Sequence, residues 1–93
     1  MLESAIQAKI VKYLQQNGAY VARVISAGKA GTADLLVCYR GHFVAVEVKT
    51  PKGRVAPLQE YHQGLVRKAG GVSIIARSVD DVNFLLESLE AFE

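Results

Sequence analysis

A disulfide framework is excluded first, because the chain has a single cysteine, Cys38, and nothing in it calls for an oxidising compartment. Long apolar runs are missing as well. The longest spans only residues 35–39, far short of the ~20 residues that a membrane-crossing helix requires. The first 17 residues carry charges and amides throughout, so neither a signal peptide nor an apolar anchor is expected there. Tryptophan is absent, yet the chain is 51% hydrophobic and only 22% charged, too apolar and too weakly charged for a disordered protein. With 93 residues it has room for one domain, expected over 1–93. A domain of this size buries roughly 60% of its unfolded surface, so its core is modest. The expectation is a small cytoplasmic α/β domain with no membrane association.

Charge of one sign is sparse in most of the chain, and the other sign is missing from its last stretch. Residues 1–79 hold all eleven Lys and Arg but only Glu3, Asp34, Glu47 and Glu60, a balance of +7. Residues 80–93 hold five acids and no base, a balance of −5, so the net charge of +2 hides an asymmetry. Two readings stand: an ordinary solvated surface, or a basic face for an anionic partner with an acidic helix elsewhere.

Hydrophobic spacing gives the elements. Ala5, Ile6, Ile10, Tyr13 and Leu14 recur at helical intervals over residues 3–17, and Asn17-Gly18 supplies a stop. Residues 20–26 are β-branched and aromatic, hence a strand, followed by a glycine-containing loop over 27–32. Residues 34–39 and 43–50 make two further strands around a turn at Arg40-Gly41-His42. Pro57 suits the first turn of a helix reaching Ala69, with Leu58, Tyr61, Leu65 and Val66 as its apolar stripe. Residues 72–77 form a fourth strand, and Ser78 caps a last helix with Asp80 and Asp81 in its first turn. The order α-β-β-β-α-β-α predicts an α/β fold with a mixed sheet flanked by helices. Cys38, Tyr13, Tyr20 and Tyr61 are expected to pack, and His42 and His62 to lie at the surface or its boundary.

The third strand carries the chemistry. Side chains alternate across a strand, so Glu47 and Lys49 share one face while Val44, Val46 and Val48 take the other. On the residues alone this is either a surface ion pair or a metal ligand beside a cation that stabilises phosphate charge. Asp34 follows a glycine-containing loop, and a hairpin centred on Gly41 sets it opposite Val48, close to Glu47 and Lys49. Two neighbouring carboxylates repel, and a hard divalent cation between them relieves that repulsion. The plain alternative is that Asp34 only caps its loop.

Taken together, Glu3, the run Gly31-Thr32-Ala33-Asp34, the run Glu47-Val48-Lys49 and Gln59 resemble the VRR-NUC domain of the PD-(D/E)XK nuclease superfamily, over residues 3 to 77. Ala33 stands where the superfamily's name has proline. The resemblance implies a restriction-endonuclease-like core and a metal-dependent DNA endonuclease using Mg²⁺ or Mn²⁺. Asp34, Glu47 and the Val48 carbonyl would bind the metal, with Glu3 supporting it directly or through water. Lys49 would position or activate the attacking water and stabilise phosphate charge. Gln59 would orient Lys49 or the scissile phosphate, and Gly31 would let the backbone approach closely. The cation would make water more acidic and stabilise the leaving 3′ oxygen, giving 5′ phosphates and 3′ hydroxyls.

Lys29, Lys52 and Arg54 lie on loops and are candidate phosphate contacts, with solvated loop charges as an equal reading; Lys9 and Lys12 fall on the exposed side of the first helix. A domain this small has little surface for DNA, so a homodimer presenting two active sites is expected, resembling Holliday-junction resolvases. Branched DNA such as a four-way junction is the preferred substrate, in the cytoplasm of a bacterial or phage-infected host cell. Flaps, single strands or duplex DNA are the alternative targets, and a non-catalytic DNA-binding module with the same fold is the alternative class.

Overall fold

The computed structural model describes residues 1–25, 28 and 30–93. Elements follow in the order α1 (Glu3–Gln16), β1 (Tyr20–Arg23), β2 (Leu35–Tyr39), β3 (His42–Val48), α2 (Pro57–Lys68), β4 (Val72–Ala76) and α3 (Val79–Glu90). The four strands lie in sequence order in one sheet. The β1–β2 and β2–β3 pairs are antiparallel, and β4 joins β3 in parallel after the α2 crossover. This is the mixed α/β sheet that the spacing predicts.

Strand alternation divides the sheet into two unlike faces. Leu35, Val37 and Tyr39 of β2 and Val44, Val46 and Val48 of β3 are buried with Ile6, Ile10, Val11 and Leu14 of α1 and Val82, Leu86 and Leu89 of α3. That is the main core, and Val46, Val48, Ile10 and Val82 have no exposed surface in it. Burying a side chain of this size stabilises by about 1.5–3 kcal/mol, so this face carries most of the apolar driving force. Polar links tie its rim: the Tyr13 hydroxyl donates to Asn83 Oδ1, and the Tyr39 hydroxyl donates to Glu90 Oε1.

The other face carries Leu36, Ala45, Glu47 and Ser73 beneath α2. Here the apolar stripe expected on α2 does not hold. Leu58, Tyr61 and Leu65 are exposed, and the buried residue of α2 is Gln63. Ser73 Oγ donates to the Gln63 carbonyl at 3.2 Å, fastening α2 to β4. Cys38 and Tyr20 are also exposed rather than packed, since both sit at outward positions of the β1–β2 edge.

Strand ends depart from the sequence reading too. β1 stops at Arg23 rather than 26, although the Val24 N–H still bonds to the Asp34 carbonyl at 2.9 Å. β3 stops at Val48 rather than 50, and the Lys49 N–H adds one more bond to the Ala76 carbonyl at 3.0 Å. The β2–β3 turn is the two residues Arg40 and Gly41, flanked by the Tyr39–His42 pair, not three residues centred on Gly41. Both have positive φ, +48° and +83°, the pattern of a type I′ turn whose twist matches the strands.

Candidate functional site

The shorter turn moves the register by one residue, and this brings the two acids together. Leu35 pairs with Val46, so the next step beyond the ladder sets Asp34 beside Glu47 rather than beside Val48. Residues opposite each other in an antiparallel pair share a face. Asp34 precedes the first residue of β2, where no further backbone acceptor faces β3. Its carboxylate fills that gap, with Oδ2 accepting the Val48 N–H at 2.8 Å.

Glu47 is 3% exposed. Its Oε1 accepts from Gln59 Nε2 at 2.6 Å, and its Oε2 is buried with no hydrogen-bond partner. Burial in the first place, and the Asp34 charge in the second, push its carboxyl up to about 7; Lys49 acts in the opposite sense. Glu3 is exposed at the start of α1, yet its charge adds to the rise at Glu47.

Gln59 is the third residue of α2, and its position follows from how the helix starts. Pro57 occupies the first helical position, and Ala56 has no side-chain acceptor for the orphan N–H groups of the first turn. Gln59 Oε1 instead accepts the Ala56 N–H at 2.9 Å, which fixes the amide and turns its NH₂ toward Glu47. The amide therefore reaches Glu47, not Lys49.

Gly31 makes this closeness possible. Its φ is +86°, and a Cβ there would lie 2.8 Å from both Leu58 Cγ and the Leu58 carbonyl oxygen and 2.9 Å from the His62 ring. Backbone approach is required, as the sequence suggests, but toward α2.

Lys49 is half-buried at the end of β3, while Lys52 and Arg54 are exposed on the turn that follows. Among the described residues the ion pairs are those of Arg40 with Glu90 and Glu93, so none of these three cations is spent on a carboxylate. The expectation for Lys29 lies outside the described residues.

Sequence reasoning missed two residues. Arg77, just past β4, donates to the carbonyls of Thr50 at 2.6 Å and Gly53 at 2.7 Å, with Pro51 at 3.4 Å. It thereby pins the turn between Lys49 and Arg54. No local pattern marks it, because its partners lie more than twenty residues away. Gln63 is the second, and its signal was available: it stands four residues after Gln59, on the same helical face.

The donor set suits a divalent cation. Carboxylates at Asp34 and Glu47 are hard oxygen donors, and Glu47 Oε2 is a buried carboxylate oxygen without a partner. The Asp34 charge also disfavours that of Glu47, which a cation relieves. The residues fit Mg²⁺ or Mn²⁺. Among the described residues no three His, Cys, Asp or Glu side chains converge, so protein ligands number fewer than a closed cage needs and waters must complete the shell.

Neither a protein-family model nor a curated protein matches the chain by sequence. Solved structures do. One described as "VRR_NUC domain" superposes with a TM-score of 0.78 at 29% identity, covering 91% of this chain and 94% of that one. A second, described as "VRR_NUC domain protein", has a TM-score of 0.74 at 18% identity over 94% and 86%, a likeness of fold. Over 91% of its length the chain is thus similar to a VRR-NUC domain structure, and the likeness supports a nuclease-type α/β domain.

Proposed function

We propose that residues 1–93 form a single metal-dependent endodeoxyribonuclease domain that hydrolyses phosphodiester bonds in branched DNA, four-way junctions in particular. The observation that carries this reading is the Asp34–Glu47 pair. A buried carboxyl whose charge is opposed by a neighbouring acid is costly unless a cation belongs there.

Asp34, Glu47 and the Val48 carbonyl would hold the cation, with Glu3, at the start of α1, supporting it directly or through water. A divalent cation there acts as a Lewis acid toward phosphate oxygens and makes water more acidic. Gln59 keeps Glu47 in place through the 2.6 Å hydrogen bond. Lys49 stands two residues beyond Glu47 and presents an ammonium group for the scissile phosphate and the attacking water. Lys52 and Arg54 grip the DNA backbone on a turn held by Arg77, and Lys29 is a further candidate phosphate contact.

Self-association supplies the second active site that a junction requires. Tyr20, Phe43, Leu58, Tyr61, Leu65 and Phe84 are exposed, which gives a homodimer apolar surface to cover. The test is incubation of labelled junction, flap, single-stranded and duplex DNA with Mg²⁺, Mn²⁺ or EDTA. Cutting of the junction in preference to the others, lost with EDTA and in Asp34→Ala and Lys49→Ala, is expected. Cutting that survives EDTA and both substitutions would sink the mechanism, and binding without cutting would favour a DNA-binding module. Sedimentation at tens of micromolar tests the dimer, and a monomer alone ends it.

A further inference from the structure

Among the described residues, two buried side-chain polar atoms have no hydrogen-bond partner: Glu47 Oε2 and Gln63 Nε2. Both side chains line the same cavity, a space of about 50 Å³ between α2 and the sheet. One water needs about 10–15 Å³ of such space and two or more polar partners, so the cavity has volume for more than one. The chemistry is complementary: an amide NH₂ donates, a carboxylate oxygen accepts, and water does both.

The orientation of the Gln63 amide is set from the other side. Arg67 Nη2, which can only donate, meets Gln63 Oε1 at 3.4 Å, so the amide nitrogen takes the opposite direction. Leaving each buried polar atom unsatisfied would cost about 1–3 kcal/mol. An apolar residue would avoid that cost, because Ala33, Leu36, Ala45 and Val66 line the same space. An amide at 6% exposure within such a lining needs a polar partner.

We propose that Gln63 is a positioning residue for Glu47, holding its second carboxylate oxygen through ordered water in this cavity. Gln59 fixes one oxygen directly and Gln63 fixes the other by water, from successive turns of one helix. Rotation of the carboxylate is then blocked before any cation arrives. The positioning role rests on the reading of Glu47 as a metal ligand; the water bridge does not.

The experiment has two arms. In metal-free protein, the Gln63 side-chain amide protons are expected to show rotating-frame cross-peaks to long-lived water, which Gln63→Met removes. In the second arm, Mn²⁺ binding is followed by electron paramagnetic resonance. Partners of this kind typically change metal affinity by 10–100-fold. Gln63→Met is expected to weaken Mn²⁺ by about that factor, while Gln63→Asn, which keeps an amide and leaves room for a further water, loses only a few-fold. A purely structural role predicts the reverse order, because Met fills the cavity better than Asn. Absence of the water cross-peaks overturns the proposal, as does Mn²⁺ binding by Gln63→Met equal to wild type. Wild-type protein that binds no Mn²⁺ overturns the metal-site reading and the positioning role with it, while the cross-peaks still decide the water bridge.

Discussion

Replacing Glu47 with glutamine separates the cost of its buried charge from the shape of its side chain. Burial and the Asp34 charge push the Glu47 carboxyl from its ordinary 4.5 to about 7. In the unfolded chain the proton leaves near 4.5; in the folded, metal-free protein it stays to about 7. Between those values the folded state binds the extra proton, so stability falls as pH rises through the window and stays low above it. At about 1.4 kcal/mol per pH unit, the loss from 4.5 to about 7 is roughly 3 kcal/mol. The side chain is 3% exposed, so solvent screening removes little of it. In a domain of this size 1 kcal/mol moves Tm by about 4–8 °C, which makes the contribution on the order of 15 °C. Glutamine keeps the neutral shape and still accepts from Gln59. Circular-dichroism melts in EDTA from pH 4.5 to 8.5 are therefore expected to show wild type losing stability across the window, with Glu47→Gln nearly flat by comparison. All other titrating groups are common to both proteins, so the difference isolates Glu47. Mg²⁺ added at pH 8 is expected to raise the Tm of wild type and leave the variant unmoved. Parallel pH profiles for the two proteins would refute the buried-charge argument outright.

Gly31→Ala is expected to cost about 2–4 kcal/mol in urea denaturation, combining a positive φ with overlap against the Leu58 carbonyl and the His62 ring. A change under 1 kcal/mol would mean that the loop moves freely away from α2. Arg77→Met removes the charged donor shared by the Thr50 and Gly53 carbonyls, at a cost of about 2–3 kcal/mol. Faster hydrogen exchange at the Gly53 N–H, which bonds to Thr50 at 3.0 Å, and weaker DNA binding are expected; unchanged exchange counts against the clamp. Arg40→Gly relieves a φ of +48° by about 1 kcal/mol but breaks exposed pairs with Glu90 and Glu93 worth at most about 1 kcal/mol. The two nearly cancel at low salt. In 1 M NaCl, where the pairs are screened, the variant is expected to melt above wild type, and the opposite order would show the pairs to be the larger effect.

Much of the candidate site's geometry was legible because its signals are local. The Glu47-Val48-Lys49 alternation is fixed by the two-residue period of a strand, and Pro57 marks the helix start whose third residue is Gln59. The register was not legible in the same way. Counting from Gly41 placed Asp34 opposite Val48, which puts the two carboxylates on opposite faces. The turn contains Arg40 as well as Gly41, both with positive φ, and arginine rarely adopts that conformation. A sequence rule that expects asparagine or glycine there therefore reads the loop as one residue longer. One residue decides whether Asp34 and Glu47 meet. Arg77 was hidden for a different reason: its role lies in carbonyls of a distant turn, which side-chain identity does not announce.

The inverted α2 has a cause in the acid beneath it. Periodicity gives two overlapping stripes on this helix, one through Leu58, Tyr61 and Leu65 and one through Gln59, Gln63 and Val66, and it does not say which turns inward. Burial of apolar area alone favours the first. Glu47 sits under the helix at 3% exposure, however, and a buried carboxylate without donors costs several kcal/mol. Rotating α2 to bury Leu58 and Leu65 would withdraw the Gln59 amide that donates to Glu47 and caps Ala56. The apolar residues then face outward because the polar ones are required inside. A helix that buries Gln63 and exposes Leu58 and Leu65 thus follows from the buried carboxyl beneath it, and this points to Glu47 independently of any motif.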